Sequence, residues 1–326
     1  MPPLRDAIRY PAKRVLLQRT RLAYVHLRNL LTDAKRDRSA RVSGYVAVWM
    51  PEELLVLFLE EGEVVNATSS TDGQKFSQVA ISEAIGRVPT AAEYGSICFH
   101  EAADEQLDLM FATQLGTPVA LPRELEPGDV SGLLAYLDAT MHDGALEVVA
   151  DGAVNYVAIA GGRPVRGHFV DPRHGDVALH LRTLLDGRVL AAPPIVRLWE
   201  TPPALPHQAS PALIQSYREL IGALTARLRE AGKTSAAEVT EGARRALVLK
   251  HPTLERFSPN VPTTKDPVTD AQTLTKAIAS WTSDILWAAC PDDTTPEQLL
   301  HDLTASRRHV FQAAGLFDAL PWKVKW

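Results

Sequence analysis

Histidine and aspartate crowd together at two places in the chain, and both places have the residue types of a metal site. His168, His174 and His180 recur at six-residue intervals with Asp171 and Asp176 between them. That run crosses from a predicted strand through a loop into a predicted helix and matches no standard ligand spacing, so it reads as a solvated, partly polar turn. The adjacent pair His301-Asp302, followed by His309, could hold a metal for phosphoester hydrolysis. Such a centre draws further His and Asp ligands from other helices, and none can be placed, so an exposed helix face is the simpler reading. His26 and His100 stand alone and are expected to pack or to face solvent. The Gly-x-x-x-x-Gly-Lys-Ser/Thr loop, Gly-x-Gly-x-x-Gly after a strand and the Gly-x-Ser-x-Gly elbow are missing. No catalytic residue, metal or cofactor is assigned, and the chain is expected to be non-enzymatic.

Cationic and aromatic side chains supply the binding candidates. Arg28, Lys35, Arg36, Arg38 and Arg41 gather around the end of a predicted helix, where positive charge also complements the helix dipole. Arg5, Arg9, Lys13, Arg14, Arg19 and Arg21 precede them. Clustered cations suffice for phosphate contact, so this basic N-terminal region is the candidate site for an anion or a nucleic acid, the alternative function. Against it, no recognition motif is present, and a net charge of −5 with pI near 6.1 gives no global field to gather a polyanion. Trp281 and Trp287 lie six apart in a predicted helix and do not share a narrow face, so one is expected in the core and the other at an interface. The tail Leu320-Pro-Trp-Lys-Val-Lys-Trp326 is apolar and basic, unlike a fraying terminus, and is expected to dock. Trp287, Trp322 and Trp326 are the candidate partner interface.

The 326 residues exceed what one core usually organises, and 46% hydrophobic with 22% charged residues is ordinary globular composition. Cys98 and Cys290 have no second cysteine at metal-ligand spacing. They are expected to be reduced core thiols in a cytoplasmic protein. No apolar run approaches the roughly 20 residues that span a bilayer, and the N-terminal stretch does not form a secretory signal.

The elements that must position these residues come in two sets. Gly44-Tyr-Val-Ala-Val-Trp49 and Leu54 to Ala67 match Gly144-Ala-Leu-Glu-Val-Val149 and Val154 to Gly167 at a constant offset of 100: Val46 with Leu146, Val48 with Val148, Leu57 with Val157, Leu59 with Ile159, Gly62 with Gly162 and Val65 with Val165. Each set reads as a three-stranded meander, alternating apolar positions facing one side, with Gly in the hairpin where positive φ is needed. A helical pattern precedes each meander: Leu16, Leu17, Leu22, Val25, Leu27, Leu30 and Leu31 in the first, and Val130, Leu133, Leu134 and Leu137 in the second. A helix follows each, over 77–88 and 176–190, and a strand closes each, over 95–101 and 194–200. The expected unit is a mostly antiparallel sheet with helices on one face.

With Leu57-Phe-Leu-Glu-Glu-Gly62-Glu-Val-Val-Asn-Ala67 and Gly161-Gly162-Arg-Pro-Val165, the two copies resemble the PATAN domain, a bacterial signalling module of response regulators and other multidomain regulators. The second copy departs from the pattern in having Gly167 where Ala would stand. The resemblance covers roughly residues 20–200. It implies a protein-interaction module without catalytic residues, linked in some members to type IV pilus motors and surface motility.

Beyond a proline-rich boundary at Thr201 to His207 the apolar period becomes helical. Ser210-Pro211 opens a helix carrying Leu213, Ile214, Tyr217, Leu220, Ile221, Leu224 and Leu228; a second spans about 235–250; Pro267 opens a third; and Thr295-Pro296 opens a fourth with Leu299, Leu300, Leu303, Val310 and Phe311 inward. The reading is an α+β chain of two similar modules followed by an all-α, four-helix bundle-like domain. Its boundaries are a first module with a basic N-terminal helix at 1–115, a second module at 116–205 and the helical domain at 206–326. Function is expected to run through other proteins, in signalling or motility control, with a homodimer among the possible assemblies.

Overall fold

Leu54 to Leu59 is an unbroken apolar run, which a strand carries when both of its faces are covered. In the computed structural model that run is the strand β3 (Leu54–Glu60), and every residue from Leu54 to Leu59 is fully buried. The structure describes residues 7–36, 41–90, 94–122, 125, 129–171, 175–185, 193–232, 235–257, 266–291 and 294–326. The fold mixes α and β, with two antiparallel sheets of six and four strands and helices mainly toward the C-terminus. Two compact units divide the chain, one of Met1–Val79 with Ala84–Pro206 and the other of Ala80–Glu83 with His207–Trp326.

Before Pro206, β1 (Arg14–Arg21), α1 (Leu27–Arg36), β2 (Gly44–Trp49), β3, β4 (Glu63–Ser70), β5 (Ser77–Gln78), α2 (Ile81–Arg87, divided between the two units after Glu83), β6 (Ser96–Glu101) and α3 (Asp104–Leu115) come first. They are followed by α4 (Val130–Thr140), β7 (Gly144–Ala150), β8 (Ala153–Ala160), β9 (Arg163–His168), α5 (Val177–Leu185) and β10 (Ile195–Glu200). The sheet orders are β1-β6-β2-β3-β4-β5 and β10-β7-β8-β9. Gly44 pairs with Leu59 and Val46 with Leu57, while Gly144 pairs with Ile159 and Leu146 with Val157. Each meander shifts register once in its second hairpin, between Phe58 and Leu59 or between Ala158 and Ile159. Gly62 (φ +79°) and Gly162 (φ +76°) sit at the hairpin turns. A Cβ on either would lie 2.4 Å from a carbonyl oxygen of the preceding helix, that of Ala34 or Leu137, so each turn excludes any side chain.

Alternation along the strands sorts three cores. Val46, Val48, Leu55, Leu57 and Leu59 face α1 and α2. Leu146, Val148, Val157 and Ile159 face α4 and α5. The opposite faces share one core with α3: Tyr45, Ala47, Trp49, Val56 and Phe58 from the first sheet, Ala145, Val154, Tyr156 and Trp199 from the second, and Leu107, Met110 and Phe111 between them. Helices therefore cover both faces of the first sheet, where one face was expected. The N-terminal segment ties into both sheets: Arg9 N–H donates to Gly152 O at 2.8 Å, Val154 N–H donates to Arg9 O at 2.9 Å, and Lys13 N–H donates to Glu101 O at 2.8 Å. Tyr45 Oη also lies 3.1 and 3.0 Å from the Tyr10 and Pro11 carbonyl oxygens.

The basic N-terminal helix is corrected. Leu16 and Leu17 belong to β1, Leu22 to a 3-10 turn, and the helix begins only at Leu27. The register of β1 on β6 breaks between Val15 and Leu17 and again between Leu17 and Thr20. Those irregularities bring consecutive leucines toward the sheet and erase the two-residue alternation. The helix after the first meander is also shorter than 77–88, because Ser77 and Gln78 first pair with β4.

The second unit holds α6 (Pro211–Glu230), α7 (Ala236–Leu247), α8 (Ala271–Ala289), α9 (Pro296–Thr304), α10 (Arg308–Ala313) and α11 (Leu316–Ala319). Ser210 caps α6 by accepting from Leu213 N–H, and Thr295 with Gln298 forms a capping box on α9. The third helix starts at Ala271 rather than Pro267, because the Asp270 carboxylate accepts the Thr273 amide and sets the N-cap there. The expected fourth helix is two pieces, interrupted by a 3-10 turn at Ala305–Arg307, and the short α11 follows beyond it after Gly315 at φ +75°. Leu299, Leu300 and Phe311 still enter the core, whereas Leu303 and Val310 are only partly buried. Among the described residues no helix is long and apolar enough to cross a membrane.

Candidate functional site

Of the cations that looked like one stripe, Arg9, Lys13, Arg14, Lys35 and Arg41 face carboxylates. Lys35 pairs with Glu63, Arg41 with Glu61 at 3.0 Å, and Arg9 with Asp171 at 3.5 Å. Lys13 and Arg14 both reach Glu101, at 2.9 and 2.8 Å, and hold that carboxyl below its usual range. The Arg19 guanidinium lies over the Trp49 ring at 4.0 Å. Arg28 has no carboxylate partner among the described residues; Arg5, Arg38 and the side chain of Arg36 lie outside them.

The histidines do not converge. His180 is buried and lies against the Phe169 ring, centroids 3.9 Å apart. His168 Nε2 is 4.0 Å from Glu105, and burial pushes its pKa down, while His174 lies outside the described residues. Asp176 caps α5 by accepting from Leu179 N–H at 2.7 Å. Among the described residues no three His, Cys, Asp or Glu side chains group as metal ligands. His301 Nδ1 is 3.2 Å from Asp302, and the Trp326 ring covers it at 4.8 Å. His100 Nδ1 is 2.7 Å from Tyr45 Oη, so it packs rather than standing free. Cys98 and Cys290 form no disulfide; the Cys290 thiol donates to Thr294 O at 3.3 Å, and burial pushes Cys98 up to about 11.

The tryptophans separate by environment. Trp281 is fully buried on α8, donates its indole N–H to Thr240 O at 2.8 Å and meets Phe257 edge-on at 6.1 Å. Trp287, one and two-thirds turns along the same helix, is 71% exposed. Its ring lies 5.1 Å from that of Trp322, which is buried. Trp326 packs on Phe317 at 5.3 Å and under Arg308 at 4.6 Å. The tail thus docks on its own unit, with Trp326 still 42% exposed and Trp287 the more exposed indole.

Sequence reasoning missed a buried polar cluster in the core between the sheets. Glu147 lies opposite Arg197 in the β7–β10 ladder and accepts from its Nη1 at 3.2 Å. Gln114 on α3 accepts from Thr68 at 2.6 Å and donates to Tyr10 Oη at 3.2 Å; Thr113 Oγ1 donates to Tyr156 Oη at 3.3 Å. The signal available was a lone carboxylate in an otherwise apolar strand, but its partner strand could not be read from spacing. Burial raises the Glu147 pKa, an effect partly offset by Arg197. A raised acid pKa means that the folded state holds the proton more tightly than the unfolded state, so ionisation costs stability as pH climbs above the ordinary value of 4.5. Glu147→Gln, which stays neutral and leaves Arg197 a third exposed to water, is therefore expected to gain stability on the wild type as pH rises from about 4.5 toward 8. Denaturant midpoints across that range check this, and a gap that instead widens toward acid would contradict it.

No family model, curated protein or solved structure matches this chain.

Proposed function

We propose that the chain is a non-enzymatic regulatory or scaffold protein that acts through contact with other proteins, in signalling or in type IV pilus and motility control. Its first 205 residues are read as two descendants of one α+β module and the remainder as a four-helix bundle-like domain. The matching registers and hairpin glycines support the duplication. The observation that carries the binding reading is Trp287, a large indole held in place by Trp322 and left 71% exposed. Tryptophan in such a setting is a typical dominant contact of a protein interface.

The test is affinity purification from the native cell with the wild type and Trp287→Ala side by side, followed by titration of the purified partner. The substitution is expected to weaken binding by about thirtyfold or more, as removal of an interface anchor does, while stability changes by less than about 1 kcal/mol. An unchanged partner set with unchanged affinity, or turnover of a substrate through a defined side chain, would overturn the reading. Sedimentation of the purified chain reports whether the partner is a second copy. The alternative, nucleic-acid binding through the basic N-terminal region, has weaker support because Lys35 and Arg41 already face carboxylates. It would be favoured by steeply salt-dependent DNA binding that disappears on charge reversal at Arg36 and Arg38.

A further inference from the structure

The core between the two sheets of the first unit is not filled. A cavity of about 50 Å³ lies there, lined among others by Tyr10, Phe76, Gln114, Glu147, Tyr156 and Arg197. Gln74 and Ile195, also in its wall, are solvent-exposed and mark its mouth. The polar groups facing it are incompletely bonded. A phenol has one proton to donate and lone pairs to accept with. The Tyr10 oxygen accepts from Gln114 and the Tyr156 oxygen accepts from Thr113, so both phenolic protons remain without an acceptor among the described residues. Glu147 receives Arg197 on Oε2 and has the Trp199 indole as its other hydrogen-bonding neighbour, which still leaves lone pairs of the carboxylate to accept from a guest. All three side chains are buried, and the Glu147 charge is near enough to raise both phenols further above their ordinary pKa. Buried polar groups in this state carry a desolvation cost that a guest would relieve.

The bonding pattern selects the guest. It must accept from two O–H donors and donate to one carboxylate oxygen. A hydroxyl does both, whereas an ammonium only donates and a carboxylate would face the charge of Glu147. Apolar walls at Ile8, Val149 and Val154 suit a short carbon chain. At about 10–15 Å³ for each water-sized group, the cavity has room for about three to five non-hydrogen atoms. We propose that this cavity is a binding site for a small uncharged alcohol, whose hydroxyl sits among Tyr10, Tyr156 and Glu147. The site is separate from the Trp287 face and does not depend on how partner proteins are contacted.

The full chain labelled with 3-fluorotyrosine and titrated with ethylene glycol tests this by fluorine NMR. The Tyr10 and Tyr156 resonances are expected to follow a saturating curve, while exposed Tyr24 drifts linearly with the solvent. Acetate and methylammonium are expected to produce no saturation. Tyr156→Phe should raise the midpoint about tenfold, the effect of losing one hydrogen bond to the guest, with an unmoved Tyr45 resonance showing that the first unit is still folded. If Tyr45 moves, Tyr10→Phe takes its place, and the wild-type titration stands by itself. Linear drift of Tyr10 and Tyr156 in the wild type, meaning that water alone fills the cavity, overturns the proposal. So does saturation that persists with Tyr10→Phe and Tyr156→Phe combined.

Discussion

Gly62→Ala and Gly162→Ala are each expected to destabilise the first unit by about 3–5 kcal/mol, from backbone strain and overpacking acting together. Both residues occupy positive φ, where a Cβ is disfavoured, and in both the added methyl would meet the backbone of the preceding helix at 2.4 Å. Backbone does not yield as the end of a flexible side chain does, so the helix has to shift away from its sheet. Gly222→Ala in the middle of α6 is the control, because nothing lies within 4 Å of a Cβ there. It is expected to stabilise by roughly 0.5–1 kcal/mol through the better helix propensity of alanine. Urea midpoints followed by circular dichroism decide the matter. A loss under about 1 kcal/mol at either hairpin glycine would mean that the helix-to-turn contact is not tight.

Trp281→Ala is the second large effect, expected to cost about 4–5 kcal/mol in the helical unit. The indole is fully buried, touches Phe257 edge-on and anchors α8 to α7 through its N–H to Thr240 O. Trp281→Phe keeps much of the packing but loses that bond and part of the volume, so a cost of about 1–3 kcal/mol is expected. Trp287→Ala on the same helix provides the contrast, since an exposed ring contributes little to folding. Equal losses at Trp281 and Trp287, measured by chemical denaturation, would show that the two faces of α8 had been exchanged.

These two sets of residues also show how far the sequence could be read. The hairpins were legible because Gly62 and Gly162 sit where only glycine fits, and because the apolar positions around them recur at a fixed interval. The caps of α6 and α9 were legible because Ser210-Pro211 and Thr295-Pro296 act through their own side chains and rings. Strand β1 was not, since its two irregularities replace strict alternation with neighbouring leucines that imitate a helix. The break between α9 and α10 was missed because no proline or glycine marks Ala305–Arg307. The cavity around Glu147 was beyond reach for a different reason. Tyr10, Gln114, Glu147 and Tyr156 come from four separate segments, and only tertiary pairing brings them to one place.

The tie between Arg9 and the start of β8 has a consequence for how the molecule is made. A ribosome exposes residue 9 well before residue 153, and at about 5–20 residues per second the interval is on the order of ten seconds. Throughout that time the segment that will cross both sheets has no second sheet to join. The segment around Arg9 is therefore ordered late although it is translated before both sheets, and it serves as the fastening of a body assembled after it.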